Sequence, residues 1–403
     1  MRILWLATLL PFPPDTGGKQ DTLYILREFS RAGDDITAGV FFHESAPPDI
    51  PGEFASLVRE VVFLPGNPKP LHSRLLASLS DEVPFKFRKY FSEESVEIIT
   101  GLLESASFEL VMLDHLHLAP LVLSCRDNLM SKGINMPPLV LRTPNVESVV
   151  VEKYAERVDN PLVKTFAARE ARKTKAYEAA VLGEFDLVAA ISPVDQARYR
   201  GMSTRPDRII CITAGVDVQA LPPSDDPPKP GEVVFVGSFD WQPNVDGAKW
   251  LIDKVWPIIN ERLPAAHLTL VGRKPPPYLE KMASDSVSLT GWVDSVEEYV
   301  RRACCCVVPL WIGSGMRLKI LEAFALGRAV VSTSLGAEGI EIEDGTNILI
   351  RDEPRAFADA VIEVLRDDKL RSSLGAHARE LVEKKYSWEM SGRAFRDRVR
   401  GLL

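Results

Sequence analysis

"CCCVVPLWIGSGMRLKILEAFALGRAVVSTS" (Cys304–Ser334) reads as strand, glycine turn, helix and strand. The first run is apolar on both faces, as in a strand of a parallel sheet covered from both sides. Gly313, Ser314 and Gly315 turn the chain, a helix is predicted from Gly315 to Gly327, and "AVVSTS" is strand again. Such a crossover belongs to a doubly wound parallel sheet. The helix reads as buried all round, yet Arg317, Lys319 and Glu322 lie near its start. A helix N-terminus favours an anion by ~0.3–1 kcal/mol, up to about 2 when partly buried. A guanidinium fork beside an ammonium suits a diphosphate. Lys319 and Glu322 share a helix face, and a carboxylate past the phosphate site could accept from both hydroxyls of a ribose. The plainer alternative is a structural Lys319–Glu322 pair with Arg317 in solvent, but burying three charges without a ligand is costly.

The same alternation runs outward in both directions. Toward the start, strands are predicted at "RILWLAT", "ITAGVFF", "EVVFL", "ELVMLD", "PLVLRT", "DLVAAIS" and "RIICIT". A second series holds "EVVFVG", "HLTLVG", "VSLTG", "CCCVVPL", "AVVSTS" and "NILIR", with helices at 246–263, 296–302, 315–327, 354–366 and 369–385. Between the series, "LPPSDDPPKPG" (Leu221–Gly231) is too rich in proline for helix and reads as an extended linker. The expected architecture is α/β, two Rossmann-like doubly wound domains with a ligand cleft between them. The expected boundaries are 1–214, 215–385 and a terminal helix over 386–403 that packs back on the first domain.

Length and composition agree. The chain has 403 residues, 46% of them hydrophobic and 26% charged, enough for two cores. A net charge of −8 argues against a general nucleic-acid binder. The triplet Cys304, Cys305 and Cys306 alternates faces within a strand and cannot by itself make a tetrahedral metal site, so it reads as buried filler in a reducing compartment. "MRILWLATLLPFPP" is broken by prolines too early for a secretory leader. The expected location is cytoplasmic, or peripheral at the inner face of a membrane.

Further glycines mark strand ends. Gly17 and Gly18 open a helix after the first strand, either as a tight turn or as an approach to an anion. Gly237 follows "EVVFV", and Arg273 and Lys274 follow "HLTLVG", where they could meet a nucleotide phosphate or simply face water.

Taken in order, these pieces resemble glycosyltransferase family 4, whose members have the GT-B fold. "PFPPDTGGKQ" is similar to the family's amino-terminal glycine loop, "ITAGVD" to the segment before its inter-domain connection, and "YSWEMSGRAF" to its terminal helix. "LEAFALGRAVVSTSLGAEGIEIEDG" resembles its carboxy-domain signature. "MLDHLHLAP", "LRTPNVES", "GSFDWQPNVDGAKWL" and "GSGMRLKILEA" resemble a bacterial sugar-transferase subgroup. The resemblance implies transfer of a sugar, with retention, from a UDP- or GDP-type nucleotide-diphosphate sugar to a glycan, a lipid-linked sugar or a small molecule. It implies no cofactor and no required metal. By match, Glu322 would bind the ribose and the loop through Trp292 and Val293 the base. Gly17, Gly18, Gly237, Arg273, Gly315 and Glu338 would lie along the donor, with Asn145 and Glu147 toward the acceptor.

Three departures accompany the likeness. Ser314 stands where the family's first motif acid is expected, and Ser238 and Pro243 stand where a cation pair usually follows the first donor-domain strand. Arg317 and Lys319 are the available substitutes for that pair. In the first domain, Asp114 with His115 occupies the usual histidine position, and Pro144 another, so His115 or Asp114 is expected near the transferred sugar. The alternatives are a non-catalytic nucleotide-sugar-binding protein or partner subunit, and a nucleotide-sugar epimerase. "FKFRKYF" (Phe85–Phe91) and the cationic helix after Asn160 could contact a membrane, or could be solvated faces.

Overall fold

The computed structural model describes residues 1–43, 46–223 and 227–403. The chain forms two compact units, Met1–Thr213 with Ser391–Leu403, and Ala214–Met390.

In the first unit, seven parallel strands run in the order β3-β2-β1-β4-β5-β6-β7. They are β1 (Arg2–Ala7), β2 (Asp35–Phe42), β3 (Glu60–Pro65), β4 (Leu110–Asp114), β5 (Leu139–Thr143), β6 (Leu187–Ala190) and β7 (Ile209–Cys211). Each coincides with a predicted run, because a sheet covered on both faces demands near-continuous apolar strands. Leu4, Leu6, Val111, Leu113, Leu141 and Val188 are fully buried in its core. Four helices matter below: α1 (Gly17–Arg31), α2 (Leu71–Ser80), α3 (Glu147–Arg157) and α4 (Pro161–Val181).

The second unit has six parallel strands in the order β10-β9-β8-β11-β12-β13. They are β8 (Glu232–Val236), β9 (His267–Val271), β10 (Val287–Leu289), β11 (Cys305–Val308), β12 (Val330–Ser332) and β13 (Leu349–Ile350). Cys305 and Cys306 are buried in β11, and all five cysteines are free thiols. The helices used below are α5 (Gln242–Trp250) and α6 (Leu318–Ala325). The helix expected over 246–263 instead starts at Gln242 and is interrupted by a π-turn over Leu251–Val255 before resuming at Trp256. Pro257 lacks the N–H that would close a regular turn there.

The last helix, α7 (Trp388–Arg400), carries its residues from Ser391 onward into the first unit. Phe395 meets Phe29 of α1 edge-on at 5.7 Å between ring centres, and Arg396 Nε donates to Asp34 at 2.6 Å. The proline-rich segment is no free linker at its described ends. Leu221 and Pro222 offer their carbonyls to Arg379 and Arg301, and Lys229 N–H donates to Arg302, all inside the second unit. Ser224, Asp225 and Asp226 of that segment lie outside the described residues.

Candidate active site

Two sets of strand ends carry the predicted site residues, one in each unit.

In the second unit, β8 and β9 end in turns that touch backbone to backbone. Gly272 has φ 155°, and a Cβ there would fall 1.7 Å from the Gly237 carbonyl oxygen. Only glycine fits that approach. The turns are tied further by Arg273 Nε donating to Ser238 Oγ at 3.0 Å and by Ser238 Oγ donating to Asp240 at 2.6 Å. Burial would raise the Asp240 carboxyl, but Ser238, Arg273 and Lys274 hold it below its ordinary value.

Asn244, buried in the first turn of α5, joins this pair of turns to the start of α6. Its Nδ2 donates to the Ser238 carbonyl at 2.8 Å, and its Oδ1 accepts from Lys319 Nζ at 2.9 Å. The Lys319 ammonium also lies 4.9 Å from the centre of the Phe235 ring. A neutral amide and an aromatic face solvate a cation poorly compared with water. Burial, with Arg317 adding to it, accordingly pulls the Lys319 ammonium down to about 7, against a smaller upward pull from Glu322.

Arg317 differs from its expectation. The helix begins at Leu318 rather than Gly315, leaving Arg317 as its extended cap residue at φ −98°, ψ 95°. Gly313 and Gly315 take φ 139° and 76°, so the turn runs three residues further before helical geometry sets in. Arg317 is buried, and its Nη1 donates to the carbonyls of Ser314 at 2.6 Å and Gly315 at 2.9 Å. A Cβ on Gly313 would fall 2.4 Å from Arg317 Nη2. The guanidinium therefore braces its own loop, and of the two cations on this segment Lys319 is the one linked, through Asn244, to the Gly237–Ser238 turn that Arg273 also contacts. Glu322 lies one helical turn beyond Lys319 on α6, half-buried. Trp292 is 67% exposed on the loop after β10, with Val293 half-buried beside it. Glu338 sits in the loop after β12, its N–H on the Leu335 carbonyl.

In the first unit, Asp114 at the end of β4 has both oxygens committed. Oδ2 accepts from Trp5 Nε1 at 2.6 Å, and Oδ1 from Arg142 Nη1 at 2.6 Å. Arg142 Nη2 reaches Asp21 of α1 at 2.8 Å. Burial alone would lower the Arg142 guanidinium, but the two carboxylates outweigh it and raise it. Both oxygens of Asp114, expected near the transferred sugar, are thus taken up in tying β1, β4 and β5 together.

His115 is different. Its backbone takes φ 89°, ψ 134°, a left-handed region that costs a side-chain-bearing residue ~1–3 kcal/mol. Its Nδ1 is 2.7 Å from the Asp114 carbonyl. A carbonyl only accepts, so Nδ1 carries the proton and Nε2 keeps a lone pair. Burial first, then neighbouring His117, pushes His115 below its ordinary value, so the ring is a neutral acceptor. His117 Nε2 is 3.4 Å from Glu147, and although burial would raise that carboxyl, His117, Lys86 and His115 hold it down to about 2. Glu147 opens α3, whose cap residue Val146 has no side-chain acceptor. Glu178 of α4 takes over that capping, accepting from the N–H groups of Glu147 at 2.8 Å and Ser148 at 3.2 Å. The Asn145 carbonyl accepts from Thr143 Oγ1 and Tyr199 Oη, both at 2.7 Å. Gly17 and Gly18 begin α1 behind the Thr16 cap, and space is open where a Gly18 side chain would lie.

Residues 230–367 match the protein-family model for glycosyl transferases group 1. The chain is also similar to the phosphatidyl-myo-inositol mannosyltransferase of Mycolicibacterium smegmatis, 27% identical over 266 residues, 62% of this chain and 68% of that one. The Mycobacterium leprae protein of the same name is 28% identical over 267 residues, 62% and 70% of the two chains. The group 1 match and these relatives support a glycosyltransferase of family 4. Its fold is GT-B, as likeness to solved structures shows. The sucrose-phosphate synthase of Thermosynechococcus elongatus gives a TM-score of 0.75 at 18% identity over 100% of this chain and 99% of that one. HepE of Anabaena gives 0.69 at 14% identity over 99% of each.

Several residues that shape these two sets of strand ends carry little or no signal in the sequence. Asn244 was inside a recognised piece but carried no signal of its own. Arg142 lies within "LRTPNVES" but, like Asp21 and Glu178, gives no local sign of its role, since each meets a partner between 28 and 121 residues away. His117 was legible only as part of "MLDHLHLAP", where its period-two relation to His115 was the available signal.

Proposed function

We propose that this glycosyltransferase moves a sugar, with retention of anomeric configuration, from a nucleoside-diphosphate sugar to an acceptor hydroxyl. The carrying observation is Lys319, hydrogen-bonded to the neutral amide oxygen of Asn244 and set over the Phe235 ring beside the Gly237–Ser238 turn, with only a smaller electrostatic pull from Glu322. A poorly solvated ammonium next to strand-end backbone gains most from an incoming diphosphate. HepE, one of the structural neighbours, is described in complex with UDP and glucose, which supports a donor of this class. Arg273 would sit along the donor, Glu322 would meet the ribose and the Trp292 loop the base. No metal is required in this reading, because Lys319 meets the charge that develops on the departing diphosphate.

In the first unit, His115 Nε2 would accept from a sugar or acceptor hydroxyl, and ionised Glu147 would orient the acceptor. The mannosyltransferase relatives are named for a phosphatidyl-myo-inositol substrate, which favours a lipid-linked acceptor over a free small molecule. Among the described residues no helix is long and apolar enough to cross a membrane, and a cytoplasmic enzyme working at the membrane surface fits such an acceptor.

The test is a thermal-shift screen of UDP, GDP and their sugars, followed by proton NMR of the product anomer with and without EDTA. A nucleotide diphosphate should raise the melting temperature, and the transferred sugar should keep its configuration in both samples. An inverted product, or turnover abolished by EDTA, overturns retention or metal independence respectively.

A further inference from the structure

"FKFRKYF", a candidate for membrane contact or a solvated face by its sequence, turns aromatic residues inward. Phe87 is buried against Tyr177 and His117, and Tyr90 packs on Phe41. A neighbouring helix does the opposite. α2 presents Leu71, Leu75, Leu76 and Leu79 at 63, 38, 64 and 47% exposure. The spacing i, i+4, i+5, i+8 puts all four along one helical stripe. Contiguous outward leucine on a short helix is the mark of a contact surface rather than of scattered surface residues.

The surroundings are basic. Residues 66–80 hold Lys69 and Arg74 and no acid; of the two acids that follow, Asp81 is paired with Arg88 and Lys173 and Glu82 is exposed, while residues 161–176 hold five cations against Glu170 alone, in a chain of net charge −8. Glu170 is buried and accepts from the Phe85 N–H. Two of the five cations fasten the helices together: Arg169 donates to the Leu79 carbonyl at 2.8 Å and Lys173 to that of Ser78 at 2.5 Å. These bonds satisfy the open carbonyl end of α2 and fix its stripe relative to α4. Lys164, Arg172 and Lys175 remain exposed on α4. Leu162, at its first turn, is 82% exposed.

We propose that the outer face of α2, with the cationic side of α4, docks this glycosyltransferase on an anionic lipid bilayer. An apolar stripe entering the acyl boundary, rimmed by cations at headgroup level, is what an interfacial helix needs. A second copy is a poor occupant, because pairing the face with itself would oppose cation to cation. The inference goes beyond sugar transfer and is read without donor or acceptor, so it can fail while the proposed reaction stands.

The experiment is co-sedimentation of the full chain with vesicles of phosphatidylcholine alone or mixed with phosphatidylglycerol, at low and high salt. Wild-type protein should bind the mixed vesicles at low salt and be released at high salt. Leu71→Ser with Leu76→Ser should weaken that binding at least ~10-fold, since a buried leucine is worth ~1.5–3 kcal/mol. Arg172→Glu with Lys175→Glu should abolish the preference for the anionic vesicles. Melting curves of both double variants, at exposed positions, should match wild type. Absence of binding to mixed vesicles, or binding indifferent to the leucines, overturns the proposal. So does concentration-dependent self-association removed by the leucine changes without vesicle binding, which would assign the face to a second copy.

Discussion

At the end of β4, charge meets charge: Asp114 and Asp21 flank Arg142, and a tryptophan N–H takes the remaining Asp114 oxygen. At the start of α6 a comparable cation, Lys319, meets an amide oxygen and an aromatic face. Both lie at the carboxyl ends of parallel strands, where this kind of fold places its ligands. The first cluster is internally neutralised and holds β1, β4, β5 and α1 in register. The second leaves positive charge uncompensated by its bonded partner, which is useful only if an anion arrives. A strand-end position therefore does not make a residue catalytic; the state of its hydrogen bonds decides.

The sharpest way to break this contrast is to remove one cation from each cluster. Arg142→Met leaves two buried carboxylates facing each other and should cost ~3–5 kcal/mol of stability in urea titration. Lys319→Ala should leave urea stability unchanged or higher while turnover falls ~10²–10³-fold, the usual loss for a preorganised donor at a developing negative charge. If Lys319→Ala unfolds the protein, or Arg142→Met spares it, the two clusters have been assigned the wrong way round.

Arg317→Ala sharpens the comparison within the second unit. Because the guanidinium braces the Ser314 and Gly315 carbonyls, its loss should cost ~1.5–3 kcal/mol of stability. Donor KM should rise more than kcat falls, as the loop loses its shape. Equal stability with a pure kcat defect would return Arg317 to the diphosphate.

The pH dependence gives a smaller effect with a defined sign. Lys319 titrates at about 7 in the folded protein against an ordinary 10.5. Its ammonium is present below about 7 and is lost above, so donor kcat/KM should fall by up to about tenfold per pH unit beyond that point. A bound diphosphate favours the ammonium, so the corresponding limb in kcat should lie at higher pH. The same shift acts on folding. Between about 7 and 10.5 the unfolded chain binds the proton that the folded chain has shed, so stability rises with pH across that window. Lys319→Met should flatten both profiles.

The smallest expected effect concerns Glu178, which caps α3 from α4. Burial pushes its carboxyl up to about 7, so the folded state binds a proton that the unfolded state releases near 4.5. Stability should fall as pH rises between those values, and Glu178→Ala should remove that slope while fraying the start of α3. Glu147 would then lose its fixed place, and acceptor KM should rise with donor KM unchanged.

What the sequence by itself determined is the strand inventory, the two-unit organisation, the glycine turns and the helix that brings Lys319 to a strand end. These are local: apolar runs bounded by turn residues can take few other shapes, and a doubly wound sheet follows from their alternation. Charge could be located but not assigned. Arg317, Lys319, Asp114 and His115 all looked alike as polar residues at strand ends. Only the tertiary structure showed that Arg317 turns back on its own loop, that Asp114 is shared between Trp5 and Arg142, and that Asn244 presents Lys319 from 75 residues away. Hydrogen bonds are directional and act over about 3 Å, so their partners are chosen by which segments the sheet order brings together, and no local pattern encodes that choice.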